Sequence, residues 1–129
     1  IGPDESYIDK CRAGSHGTYT AKVDDLHEDY LRPQENGSHT DCDYLEIKNK
    51  NTVFTAIGNQ PFSFNVSSYT QEELTKKKHS YELEPSGYTV VCLDYAQSGI
   101  GSNSCGPVLS EKYQLNQNHF EFDMTLIWK

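Results

Sequence analysis

Short runs in which apolar and polar side chains alternate recur along the chain, each bounded by turn-forming residues. Residues 18–23 place Tyr19, Ala21 and Val23 on one side and Thr18, Thr20 and Lys22 on the other. A period of two positions predicts a half-buried strand there. Residues 41–48 alternate again, with Cys42, Tyr44 and Glu46 on one face and Leu45 and Ile47 on the other. Lys48-Asn49-Lys50-Asn51 then predicts a hairpin turn into a strand over residues 52–57. Gly58-Asn59-Gln60-Pro61 is expected to break the chain before a further strand at 62–66. Residues 88–95 hold the most apolar run, with Val90, Val91, Cys92 and Leu93 in succession, which predicts a central strand buried on both faces. The clearest alternation closes the sequence: Phe120, Phe122, Met124, Leu126 and Trp128 against His119, Glu121, Asp123, Thr125 and Ile127.

One short helix is expected after Thr70. Thr70 and Glu73 have the spacing of a capping box, and Glu72 and Glu73 at the start complement the helix dipole. Lys76, Lys77 and Lys78 do the same at the end, the pattern stops by about His79, and Glu84-Pro85-Ser86-Gly87 marks the next turn. Many short strands with one short helix indicate an all-β, mainly antiparallel sandwich. No internal repeat or low-complexity segment is present.

Composition narrows the choice. A chain of 129 residues supports one domain around one core. With nine tyrosines, five phenylalanines, one tryptophan and one methionine, that core should lean on Tyr, Phe and Val, which suit a pleated surface. A formal net charge of −8 and the lack of a basic stripe disfavour nucleic-acid binding. No apolar run is long enough for a membrane-spanning helix. The chain opens on Ile1 without a leader-like segment or a methionine, and the expectation is a piece of a longer polypeptide. Cys11, Cys42, Cys92 and Cys105 lack metal-ligand spacing and are expected to be free thiols, as in a cytoplasmic protein. The histidines, His16, His27, His39, His79 and His119, form no HxH or HExxH pattern, so no metal site is expected from them.

Between Asp94 and Pro107 lie glycines, serines and an asparagine that fit neither helix nor regular strand. Such a run predicts a long shaped loop of the kind that displays binding residues. Its core, Gly99-Ile100-Gly101-Ser102-Asn103-Ser104-Cys105-Gly106-Pro107 followed by Tyr113-Gln114-Leu115, resembles the C-terminal signature of bacterial β-galactosidases of glycoside hydrolase family 2. Other landmarks agree in order. Gly2-Pro3-Asp4-Glu5-Ser6-Tyr7-Ile8-Asp9-Lys10 resembles the family's Gly-Pro-x-Glu-x-Tyr-x-Asp-Arg run, with lysine where arginine is usual. Tyr30-Leu31-Arg32-Pro33-Gln34-Glu35-Asn36-Gly37 and Phe62-Ser63-Phe64-Asn65-Val66-Ser67-Ser68-Tyr69-Thr70 resemble two further segments, so the likeness covers essentially the whole chain, residues 1–129.

The resemblance implies the small-chain region of such an enzyme, part of a large antiparallel β-supersandwich related to the galactose mutarotase fold. Sheet edges left open by the missing part would favour self-association. The parent would hydrolyse terminal β-D-galactosides such as lactose with retention, with the remaining domains or a large subunit as partner. The family's catalytic glutamates and its magnesium, with sodium, belong to a central barrel domain. No catalytic residue or metal ligand is therefore assigned in this chain. Glu35 and Asp94 are read as turn-forming or solvated carboxylates, since a pair can always be picked from 19 acidic residues. In well-known members a tryptophan at the position of Cys105 packs against the sugar. A smaller residue stands here, and Ser102, Asn103, Ser104 and Cys105 are the candidate pocket-lining residues. An autonomous carbohydrate-binding module and a purely structural or assembly domain remain the alternatives. The resemblance also points to a bacterial cytoplasmic setting.

Overall fold

The fold is built around one long strand. The computed structural model of the chain describes residues 1–101 and 107–129. Strand β1 (His39–Lys48) turns at Asn49 into β2 (Val53–Ser67), where the Asn49 side-chain oxygen accepts the N–H groups of Asn51 and Thr52, both at 2.9 Å. Helix α1 (Gln71–Lys76) follows, then β3 (Val90–Asp94) and β4 (Met124–Trp128). All pairing is antiparallel: β1 lies on one side of β2, while β3 and β4 share the other, β3 along residues 63–67 and β4 along 54–58. The described residues thus form an all-β antiparallel sheet with a single short α-helix, as the sequence pattern indicates.

The core lies on one face of this sheet. Leu45, Ala56, Phe62 and Val66 are buried together, with Phe54, Phe64, Val91, Leu93 and Met124 packed around them. Val23 and Leu26, from a single 3-10 turn, close over the same cluster. Helix α1 begins as its residues predict. The Thr70 hydroxyl accepts the Glu73 N–H at 3.1 Å, and buried Leu74 is the residue the helix turns inward. The reciprocal half of the capping box is not made, because the Glu73 carboxylate instead accepts the Glu84 N–H at 2.9 Å and pairs with Lys77 at 3.3 Å.

Four sequence expectations are corrected. Residues 18–22 are irregular rather than a strand: Tyr19 folds back so that its hydroxyl meets Ser15 Oγ at 2.9 Å, and only Val23 reaches the core. Alternation there meets neither a neighbouring strand nor the core, and residues 18–22 are all exposed. Residues 58–61 do not end a strand; β2 runs through them as a bulge. From Tyr44 to Cys42 the partner position moves from Ile57 to Phe62, two steps along β1 against five along β2. The bulge is held because Asn59 N–H donates to the Asp123 carbonyl at 3.0 Å. Strand β3 is an edge strand with every position half-buried, not a central one. Its odd residues, Val91 and Leu93, join the core, whereas Cys92 and Asp94 pair with Asn65 and Ser63 on the opposite, polar face. Finally, only the second half of residues 119–128 is strand. Beside the bulge there is no regular ladder to extend, and Phe120 and Phe122 pack instead on Tyr95, with ring centroids 4.6 and 5.7 Å away.

Candidate functional site

The sequence landmarks that precede the glycine-rich loop meet at the sheet: Glu5 ties the first to the second, and the Asn65 amide donates to the Asn36 carbonyl to tie the second to the third. The segment after Pro3 lies along residues 37–40. Ser6 N–H donates to the Ser38 carbonyl at 2.7 Å, and Ser6 Oγ accepts the Thr40 N–H at 3.0 Å. Between these strands of contact Glu5 points inward, only 4% exposed. Its carboxylate accepts from Lys10 Nζ at 2.8 Å, from the Gly37 N–H at 2.8 Å and from the Tyr30 hydroxyl. Burial alone would raise its pKa, but these three donors outweigh it and hold the carboxyl below its ordinary value. Gly37 can make this contact because its φ of +70° aims the N–H at Glu5; an added Cβ would lie 2.5 Å from the Leu26 carbonyl oxygen.

Tyr7, two residues on, is fully buried, and its hydroxyl receives the Ser38 N–H at 3.4 Å. Burial, then the nearby Glu35 carboxylate, push its pKa far up, so it stays a neutral phenol. The chain then turns, with Lys10 N–H donating to the Tyr7 carbonyl at 2.8 Å and Asp9 inside the turn. There Asp9 meets the start of the glycine-rich loop. Its Oδ1 accepts the Ile100 N–H at 3.1 Å and its Oδ2 the Gly101 N–H at 2.9 Å. On the loop's other flank Gly99 N–H donates to the Tyr113 carbonyl at 2.9 Å, and Leu115 N–H to Ser98 Oγ at 3.0 Å. The loop stem is therefore held from two sides. The predicted pocket-lining residues, Ser102, Asn103, Ser104 and Cys105, lie outside the described residues.

At the base of this stem is a mostly apolar cavity of about 290 Å³, lined by Ile8, Thr40, Phe62 and Tyr95 with Asp41 and Gln97 as polar members. Asp41 sits at a bulge in β1, where His39 to Cys42 is three steps against two along β2, and it adopts a φ of +57°. Aspartate tolerates that conformation better than most residues, which matches its place here.

Glu35 and Asp94 differ from the expectation of solvated turn carboxylates. Glu35 is half-buried, and its Oε1 is shielded from solvent with no hydrogen-bond partner among the described residues. Burial raises its pKa, with the charge of Asp94 adding to the effect and the amides of Gln71 and Gln97 partly offsetting it. Asp94 is likewise raised by burial and keeps one partner, Gln97 Nε2 at 3.1 Å. Both acids are half-buried in the polar face rather than fully solvated. Asp94 raises the pKa of Glu35, while Asp94 itself is raised by burial alone.

Each histidine has its own neighbours. His16 pairs with Asp41 at 2.8 Å, and His39 is pinned between the Gly37 and Pro3 carbonyls while stacking on Phe64. Among the described residues, no three His, Cys, Asp or Glu side chains converge to hold a metal ion. Cys11, Cys42 and Cys92 carry free thiols; burial raises the pKa of Cys42 and Cys92, so neither is set up as a thiolate. No helix among the described residues is long and apolar enough to cross a membrane.

The sequence pattern alone gives no sign of the anchoring contacts made by Glu5 and Asp9. What defines this protein is a small antiparallel sheet in which the carboxylates of Glu5 and Asp9 tie the first landmark segment to residues 30 and 37 and to residues 100 and 101. The chain belongs to the β-galactosidase small-chain family, whose model (Beta galactosidase small chain) matches residues 1–126. It is 52% identical over 127 residues to a β-galactosidase of Actinobacillus pleuropneumoniae, covering 98% of this chain and 12% of that protein. It is 43% identical over 125 residues to one of Staphylococcus xylosus, covering 97% and 13%. A β-galactosidase of Kluyveromyces lactis is 35% identical over 133 residues, covering 99% and 12%. The chain thus spans only 12–13% of the length of these relatives.

Proposed function

We propose that the chain is the non-catalytic small-chain portion of a retaining β-galactosidase of glycoside hydrolase family 2, acting on terminal β-D-galactosides of the lactose type. The observation that carries this reading is the 52% identity to a β-galactosidase over 98% of the chain. In this account the glycine-rich loop closes one edge of the substrate pocket, with Ser102, Asn103, Ser104 and Cys105 facing sugar. The two-sided hold on the loop stem supports that role, since a pocket wall must be placed before substrate arrives. The catalytic carboxylates, magnesium and the accompanying sodium belong to another domain of the parent, consistent with the scattered acids here.

The parent's other domains, or a large subunit, are the partner. They would cover the apolar side chains left at the sheet: Trp128, 64% exposed, Tyr44 at 49%, and Leu126 and Ile57, each at 43%. The second layer of a β-supersandwich would come from the same source, and without it the open edges of β1, β3 and β4 make the isolated chain prone to self-association. The enzyme would work in the bacterial cytoplasm, where the free thiols stay reduced.

A mechanism-based label tests the reading. A 2-deoxy-2-fluoro galactoside traps the covalent intermediate of a retaining glycosidase on its nucleophile. With the intact enzyme, the labelled peptide should fall outside these 129 residues. A label on any acid of this chain would overturn the non-catalytic assignment, and no label at all would overturn the retaining mechanism.

A further inference from the structure

We infer that Asp9 is a positioning residue for galactoside binding, acting by fixing the stem of the displayed loop. This rests on the reading that the loop closes the substrate pocket.

Asp9 spends its whole carboxylate on that stem. Its two oxygens take two successive amides, Ile100 at 3.1 Å and Gly101 at 2.9 Å, across 91 and 92 residues of sequence. No cation competes for it among the described residues: its neighbour Lys10 is committed to Glu5 at 2.8 Å. The loop backbone is shaped to accept it. A Cβ on Gly99 would lie 2.5 Å from Asp9 Cγ, and one on Gly101 3.1 Å from Asp9 Oδ2. Acid and glycines are thus a matched set, in which the backbone comes close because nothing projects from it. Hydrogen bonds to an ionised acceptor are about twice as strong as neutral ones. Two from one rigid carboxylate fix direction as well as distance, so Asp9 and the Tyr113 and Ser98 contacts together set how the chain leaves residue 101.

The same turn links this hold to the rest of the polar face. Glu5 and Asp9 stand on either side of buried Tyr7, one fastening residues 30 and 37 and the other residues 100 and 101. Glu5 serves the fold, since Lys10, Tyr30 and the Gly37 N–H are its partners and none belongs to the loop stem. Among the described residues the Asp9 carboxylate hydrogen-bonds only to the loop stem, so its loss should reach substrate before it reaches stability.

The test is kinetic and uses the intact enzyme. Asp9→Asn keeps the shape but turns an NH₂ toward one of the two amides. A displacement of about 1 Å in a positioning element can cost up to ~100-fold. We expect KM for an aryl galactoside to rise about tenfold with a smaller change in kcat, the signature of lost substrate binding. Gly99→Ala attacks the same contact from the other side and should give the same KM-weighted defect. Because both act through one contact, Asp9→Ala with Gly99→Ala should be no worse than the poorer single variant, whereas independent structural damage would add. Asp9→Glu should recover little, since an extra methylene pushes the stem away.

Unchanged KM in Asp9→Asn and Gly99→Ala would overturn the inference, as would additive losses that track a lowered Tm. Cys105→Ala and Cys105→Trp in the same enzyme separate the two ideas. A shift in their KM with none in the Asp9 variants leaves the pocket wall standing and removes Asp9 from it. Silence in all four removes the pocket wall itself.

Discussion

The Glu5 carboxylate accepts the Gly37 N–H at 2.8 Å, joining two turns 32 residues apart through a group that is almost wholly buried. Lys10 and Tyr30 complete its coordination, and together they hold its pKa below the ordinary value against the pull of burial. A carboxylate depressed in the folded state stabilises the fold above its unfolded pKa, and that contribution disappears as pH falls through the folded value. The protein should therefore lose stability steeply in acid, below the ordinary glutamate range. Glu5→Ala strands three donors and should cost about 3 kcal/mol at neutral pH, with a flatter acid limb. Thermal melting across the acid range checks both.

Glu35 has the opposite sign. Its pKa is raised, so its contribution is greatest below the unfolded value and is lost as pH rises through the folded one. Its Oε1 is shielded from solvent and has no hydrogen-bond partner among the described residues. Glu35→Gln removes the charge at nearly constant volume and should stabilise by about 1 kcal/mol at pH 7, an advantage that shrinks on acidification. A variant that melts below the parent at pH 7 would mean the carboxylate has a compensating partner.

Gly37→Ala should be among the most damaging single changes on this face. The new methyl meets the Leu26 carbonyl oxygen at 2.5 Å and the backbone is held at a φ of +70°. A cost of at least about 2 kcal/mol is expected from strain plus the weakened bond to Glu5. Equilibrium unfolding reads it directly, and a neutral result would show that the turn can relax away from Leu26.

Helix α1 offers a local check. Thr70→Ala removes the acceptor for the Glu73 N–H and should cost about 1 kcal/mol. Leu74→Ala empties a buried site and should cost about 3 kcal/mol. Amide exchange at Leu74, which donates to the Thr70 carbonyl, should speed up by roughly fivefold in the Thr70 variant.

Where sequence and structure part company, pairing partners are the reason. The β1–β2 hairpin was legible because Asn49 and its neighbours signal the turn and the flanking runs alternate in register. Helix α1 was legible from Thr70, Glu73 and the lysines. Residues 18–22 and 119–123 alternate just as well, yet neither pairs with a strand: Tyr19 turns back onto Ser15, and Phe120 and Phe122 pack on Tyr95. The short apolar run Val90, Val91, Cys92, Leu93 looked two-sided because Cys92 counts as apolar, although it faces Asn65 on the polar side. The loop itself was visible from its glycines. Its anchor was not, because Asp9 lies 91 residues away from Ile100 and nothing in local patterning relates them.

The central claim is that the displayed loop forms a wall of a galactoside pocket, and substrate preference in the intact enzyme tests it most directly. The measurement is the ratio of KM for lactose to KM for an aryl galactoside, in the parent and in Cys105→Trp. The account predicts a changed ratio with folding intact, because a larger aromatic ring at that position alters the pocket for one aglycone more than the other. An identical ratio would contradict the pocket role and leave the chain as scaffold alone.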